Sequence, residues 1–74
     1  MKPSIKLLDV VALLHDIPNA SLVAGNVGTV VEVLGGGEAY LVEFSDDSGE
    51  TFAMEPLRSD DFLVLHYEPH TTTA

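Results

Sequence analysis

The 74-residue sequence contains no cysteine and no tryptophan, and only three lysines and arginines stand against twelve aspartates and glutamates. Each shortage excludes something. Without cysteine there is neither a disulfide nor a thiolate metal site, so a chain of this size must be held by its apolar core, with a partner subunit as the one further support. The formal net charge of −9 leaves no cationic stripe of the kind that phosphate backbones require. Long hydrophobic runs are missing too. Asp9 and then His15-Asp16 interrupt the apolar stretch from Leu7 to Leu14, far short of the ~20 residues of a membrane helix. No signal-peptide core follows the N-terminal lysines Lys2 and Lys6, so a cytoplasmic location is the expectation. The length holds one domain, not two.

What is present is a 46% hydrophobic chain rich in Val and Leu, a composition that argues against disorder. Its pattern is mostly of period two, punctuated by turn residues. Asp9 to His15 reads as a strand, with a short amphipathic helix as the alternative. Asp16-Ile17-Pro18-Asn19 turns the chain, and an irregular loop runs on to Asn26, with Gly25 and Gly28 bracketing Asn26-Val27. Thr29 to Leu34 is a strand of mostly β-branched residues. Gly35-Gly36-Gly37 is a hairpin connection, and Ala39 to Phe44 forms the next strand. Ser45 to Gly49 is a polar turn, and Glu50 to Glu55 is a strand that Pro56 is expected to end. Residues 56–61 resemble one short helical (3-10) turn before a last strand, Phe62 to His66. Tyr67 to Ala74 has no core pattern and reads as a flexible tail behind a domain of residues 1–66.

Five short strands, a long first loop and a one-turn helix before the last strand predict an all-β domain. An open sheet would leave two edges with few lysines to block pairing, so closure into a small barrel is expected. The alternation assigns a core of Val10, Ala12, Leu14, Val30, Val33, Tyr40, Val42, Phe44, Phe52, Met54, Leu63 and Leu65. Register is open in the first two strands, because Val10-Val11 and Val30-Val31 are apolar on both faces. Leu8, Leu34, Leu41 and Val64 exceed the needs of that core and predict a homodimer face.

The run Gly25-Asn26-Val27-Gly28-Thr29-Val30-Val31-Glu32-Val33 resembles the glycine-bracketed hairpin entry of SH3-like barrels, KOW-type domains among them. Taken together, residues 9–18 (DVVALLHDIP), 25–34 (GNVGTVVEVL) and 37–65 (GEAYLVEFSDDSGETFAMEPLRSDDFLVL) resemble the small bacterial proteins of domain-of-unknown-function family 4926. The resemblance implies a single SH3-like five-stranded barrel and no catalytic residues. Some members look like the neutralising half of a toxin-and-neutraliser gene pair, which implies an antitoxin- or immunity-like role. KOW-type domains that bind RNA carry basic residues near the barrel loops. This chain has only Lys2, Lys6 and Arg58, which counts against nucleic acid.

Candidate chemistry is sparse. Gly35-Gly36-Gly37 leads into Glu38 and a strand rather than into a helix with Lys and Ser or Thr, so it is not a phosphate loop. The five serines, Ser4, Ser21, Ser45, Ser48 and Ser59, have no nucleophile-elbow context. The carboxylate pairs Asp46-Asp47 and Asp60-Asp61 fall in solvated turns, where nothing splits their pKa values for acid–base work. His66, Glu68 and His70 would share one side of an extended segment and form the candidate metal set; Pro69 forbids the helix that would pair the two imidazoles. His15 reads as a strand-end residue, and its neighbour Asp16 is not placed to orient it. No cofactor is expected.

The charge carries the remaining expectation. Asp46, Asp47, Glu50, Asp60 and Asp61 are the candidate partner-binding residues of a non-enzymatic protein-interaction module, the acidic neutralising partner of a basic protein. A metal- or small-ligand-binding accessory protein using the histidines is the alternative, and a KOW-like nucleic-acid binder the third. A proline-peptide groove is not expected, because Tyr40, Phe44, Phe52 and Phe62 fall mostly on core positions.

Overall fold

The computed structural model describes residues 5–66. Five strands form one antiparallel sheet: β1 (Val10–Leu13), β2 (Val27–Leu34), β3 (Ala39–Ser45), β4 (Thr51–Leu57) and β5 (Phe62–Val64). Their order is β4-β3-β2-β1-β5. One 3-10 turn, Pro18–Ala20, lies in the long loop between β1 and β2, and a second, Ser59–Asp61, precedes β5. No α-helix occurs among the described residues, so the strand reading of Asp9 to His15 holds over Val10–Leu13 and its helical alternative falls.

The glycine turn between β2 and β3 needs its glycines. Gly35, Gly36 and Gly37 all have positive φ, at 56°, 69° and 113°, where a Cβ clashes with the backbone. Gly28 serves differently, inside β2 rather than in the loop before it. A Cβ there would lie 2.7 Å from Val42 Cγ1 and 2.9 Å from both the Glu43 carbonyl and Phe44 Cδ2. Its bareness lets β3 side chains close over β2. The register of β2 on β3 shifts between Val30 and Glu32. Such a bulge increases local twist and bend.

The sheet curls strongly. Tyr40 on β3 and Phe62 on β5 are three ladder steps apart, about 14 Å in a flat sheet. Their rings nevertheless meet edge to face with centroids 5.9 Å apart. The concave side holds the core: Val11, Leu13, Leu22, Val30, Tyr40, Val42, Phe44, Leu57 and Phe62. No ladder joins β4 to β5 among the described residues, so the strands form one curved open sheet and not the closed barrel expected from the sequence.

Several sequence expectations are corrected here. β1 runs in the opposite phase: Val11 and Leu13 point inward, while Val10 and Ala12 are half-buried and Leu14 is exposed. The shift follows the pairing of Val11 with Gly28, the position that admits a close neighbour. On β5, Phe62 points inward and Leu63 outward, and Leu65 is half-buried. Phe52 and Met54 are exposed because the register shift beside Phe44 and Ser45 turns Ala53 and Leu57 toward the core face instead. Val33 is largely exposed. Val30, Tyr40, Val42 and Phe44 are buried as expected. Pro56 does not end its strand. It lies opposite Leu41 on an edge strand, where a missing N–H costs no ladder bond. Val64, expected on a dimer face, packs against the core. Leu34 and Leu41 are half-buried and Leu8 is exposed. The tail, residues 67–74, lies outside the described residues.

Candidate functional site

The carboxylates divide into those that hold loops and those that do not. Asp46, in the turn joining β3 to β4, is engaged by its own turn through one carboxylate oxygen. Its Oδ1 accepts the Ser48 N–H at 2.9 Å, the Ser48 hydroxyl at 2.9 Å and the Glu50 N–H at 3.0 Å. The Asp46 N–H donates to the Glu50 carbonyl at 2.9 Å. This Asx-type turn closes the hairpin. The Glu50 N–H first, and then the Ser48 hydroxyl, hold the Asp46 carboxyl below its ordinary pKa, because both donate to the charged form.

Asp61 is likewise structural. Its Oδ2 accepts the Arg58 N–H at 2.8 Å, fastening the second 3-10 turn, and its Oδ1 meets His15 Nε2 at 2.8 Å. The other ring nitrogen, His15 Nδ1, lies 3.2 Å from the Asp16 carbonyl. Both imidazole nitrogens thus face acceptors, an arrangement that only the doubly protonated ring satisfies. The His15 pKa is raised accordingly, chiefly by Asp61 and then by the Asp16 carbonyl. Asp61 is lowered, by the Arg58 N–H first and by His15 second. His15 is therefore an exposed latch between the end of β1 and the start of β5. Its acid partner is Asp61, 46 positions away, not the adjacent Asp16 side chain. Asp16 Oδ1 instead accepts the Ala24 N–H, and Asn26 Oδ1 accepts the Val23 N–H, so both brace the long first loop.

That leaves Asp47, Glu50 and Asp60 of the five candidate partner-binding acids. Each is exposed, and none makes a side-chain hydrogen bond among the described residues. The two clusters sit at the same end of the sheet by register. Phe62 pairs with Leu13, the Leu13 N–H bonds the Asn26 carbonyl, and Gly28 pairs with Phe44. Asp61, just before β5, and the turn that begins at Asp46, just after β3, therefore both adjoin strand termini on that side.

The same end carries apolar side chains that sequence reasoning placed in the core. Phe52 shares an open depression of about 510 Å³ with Asn26, Ser45, Asp46, Asp47 and Ser48. Across the convex side of the sheet, Leu63, Ala12 and Val27 make one continuous row over β5, β1 and β2. Val10, Thr29, Glu43 and Met54 make the next, over β1 to β4. Phe52 is 47% exposed, Val27 and Met54 49%, and Leu63 56%. The sequence signal for this face was present in the doubled apolar positions at Val10-Val11, but periodicity could not say which of the pair points out.

Of the candidate metal set, His66 is exposed at the edge of the described residues, while Glu68 and His70 lie outside them. No group of three or more His, Cys, Asp or Glu side chains is arranged to hold a metal among the described residues. None of their helices is long and apolar enough to cross a membrane.

A family model described as a domain of unknown function (DUF4926) matches residues 7–64. No curated protein and no solved structure matches the chain.

Proposed function

The chain belongs to the DUF4926 family, and from that premise we propose that it is a non-enzymatic protein-interaction module whose acidic surface receives a basic protein, in the manner of a neutralising partner. The observation that carries this reading is one-sided charge. The side chains of Asp47, Glu50 and Asp60 are exposed and make no hydrogen bond among the described residues, of which Lys6 and Arg58 are the only lysine and arginine. A surface of one sign speeds encounter with an opposite partner and repels phosphate. The resemblance to SH3-like barrels belongs to the same proposal. The strand order β4-β3-β2-β1-β5, the 3-10 turn before β5 and the contact of Tyr40 with Phe62 across the curl support it. An intracellular setting, where such a partner would be met, completes the reading.

The test is recovery of the partner by cross-linking in the native cell, followed by affinity measurement with the purified pair. The combined variant Asp47→Asn/Glu50→Gln/Asp60→Asn is the right probe, because Asp46 and Asp61 hold turns and their loss would confound charge with folding. Binding should weaken at least tenfold in this variant, and again in 0.5 M salt, where screening shortens to about 4 Å. An affinity indifferent to both, or a recovered partner without a basic surface, overturns the reading.

A further inference from the structure

Resting on that reading, we propose that the partner docks on the convex face of the sheet, and that the docked segment is cationic and amphipathic: apolar side chains lie over Val27, Met54, Phe52 and Leu63, and basic side chains meet the carboxylates around them.

Small antiparallel sheets keep one face for the core and one for water, and the water face is ordinarily polar. Here the concave side already buries the full core, yet the convex side is also largely apolar. Its first row is Leu63, Ala12 and Val27; its second contains Val10 and Met54; its third sets Leu41 beside Pro56. An exposed apolar area of this kind marks an interaction site. Among the described residues, none of these side chains belongs to the buried core.

The charge on and around that face selects the occupant. Glu43 stands between Thr29 and Met54, and Glu32 lies opposite Leu41 on the same face. The Thr51 hydroxyl donates to Glu43 Oε2, which fixes the position of the carboxylate. At one margin, Phe52 shares its depression with Asp46 and Asp47. Every charged residue in these rows is acidic; none is Lys or Arg. A second copy of the chain fits poorly, since it brings an equally acidic face and doubles a net charge of −9. The open edge of β4 is also a poor site for strand addition, because Pro56 offers no N–H there. A cationic amphipathic segment satisfies the apolar rows and the carboxylates together.

Three short synthetic peptides test this on the full chain: alternating leucine and lysine, alternating serine and lysine, and alternating leucine and glutamate. The leucine–lysine peptide should shift the backbone resonances of Val27, Phe52, Met54 and Leu63, and should bind at least tenfold more tightly than either control. Met54→Ser and Leu63→Ser should each weaken it by about tenfold, the equivalent of losing one buried apolar side chain, without changing the weaker serine–lysine binding. Equal binding of the serine–lysine peptide, or shifts confined to residues 46–50 and 59–61, would overturn the docking face while leaving the basic-partner reading intact. Equal binding of the leucine–glutamate peptide would overturn the cationic occupant and that reading with it. Concentration-dependent dimerisation that shifts these same four residues would assign the face to a second copy and overturn the proposal.

Discussion

His15 and Asp61 show how an exposed pair can still connect distant parts of a chain. The imidazole bridges the Asp16 carbonyl and the Asp61 carboxylate, and Asp61 also carries the Arg58 N–H. The His15 pKa is raised, so its contribution to stability is complete below the ordinary histidine value, about 6.5, and is lost as pH rises through its higher folded value. Asp61 is lowered, so its contribution is complete above the ordinary carboxylate value, about 3.9, and is lost as pH falls through its folded value. The pair therefore stabilises most between those limits. Asp61→Asn should bring the His15 pKa down toward its ordinary value in an NMR titration. The stability gap between the native chain and this variant should be widest near pH 5 to 6 and shrink on either side. A His15 titration unchanged by the substitution would show that the latch does not form in solution.

At the level of the strands, two phenylalanines eight positions apart have opposite fates. Phe44 on β3 is fully buried, while Phe52 on β4 is half exposed. Both sit in alternating apolar patterns and look equivalent in sequence. The register shift beside Phe44 and Ser45 separates them, because it hands the inward positions of β4 to Ala53 and Leu57. Phe44→Ala should cost about 3–5 kcal/mol, most of the roughly 5 kcal/mol that holds a typical domain of this size. Phe52→Ala should cost less than about 1 kcal/mol. Denaturant unfolding checks both, and equal losses would mean that Phe52 belongs to the core. The existence of each strand was legible because β-branched runs, glycine turns and polar turns bound them. The facing of β1, β4 and β5 was not, because a single bulge or a one-residue slip exchanges the two faces while leaving the pattern intact. Leu22 was missed for another reason: it lies in the long loop, where no periodicity marks a core residue, yet it is buried.

For the molecule as a whole, the charge imbalance acts on folding as well as on binding. Twelve acids on a 74-residue chain repel one another most when compact. Raising salt from a few millimolar to about 0.2 M shortens screening below 10 Å, and the melting temperature should rise. A fall would mean that the His15–Asp61 bridge and the carboxylate-capped turns outweigh the general repulsion. The five candidate acids were legible as clusters in turns, yet their division of labour was not. Asp46 and Asp61 are spent on turn geometry, whereas Asp47, Glu50 and Asp60 are left facing water. Adjacent carboxylates in one turn have the same sequence signature, and only the positions of the surrounding N–H groups distinguish them.

The sequence by itself determined an all-β domain of five short strands, most of its turns, and a strongly negative net charge, because alternation, glycine and charge are local properties. The tertiary structure alone decided which apolar residues face inward, that His15 meets Asp61 rather than Asp16, and that Val27, Met54, Phe52 and Leu63 are left on the outside. Those outcomes depend on how far the sheet curls and where its registers slip. Both are set by contacts between distant strands, above all by Gly28 beneath Val42 and Phe44 and by Tyr40 against Phe62.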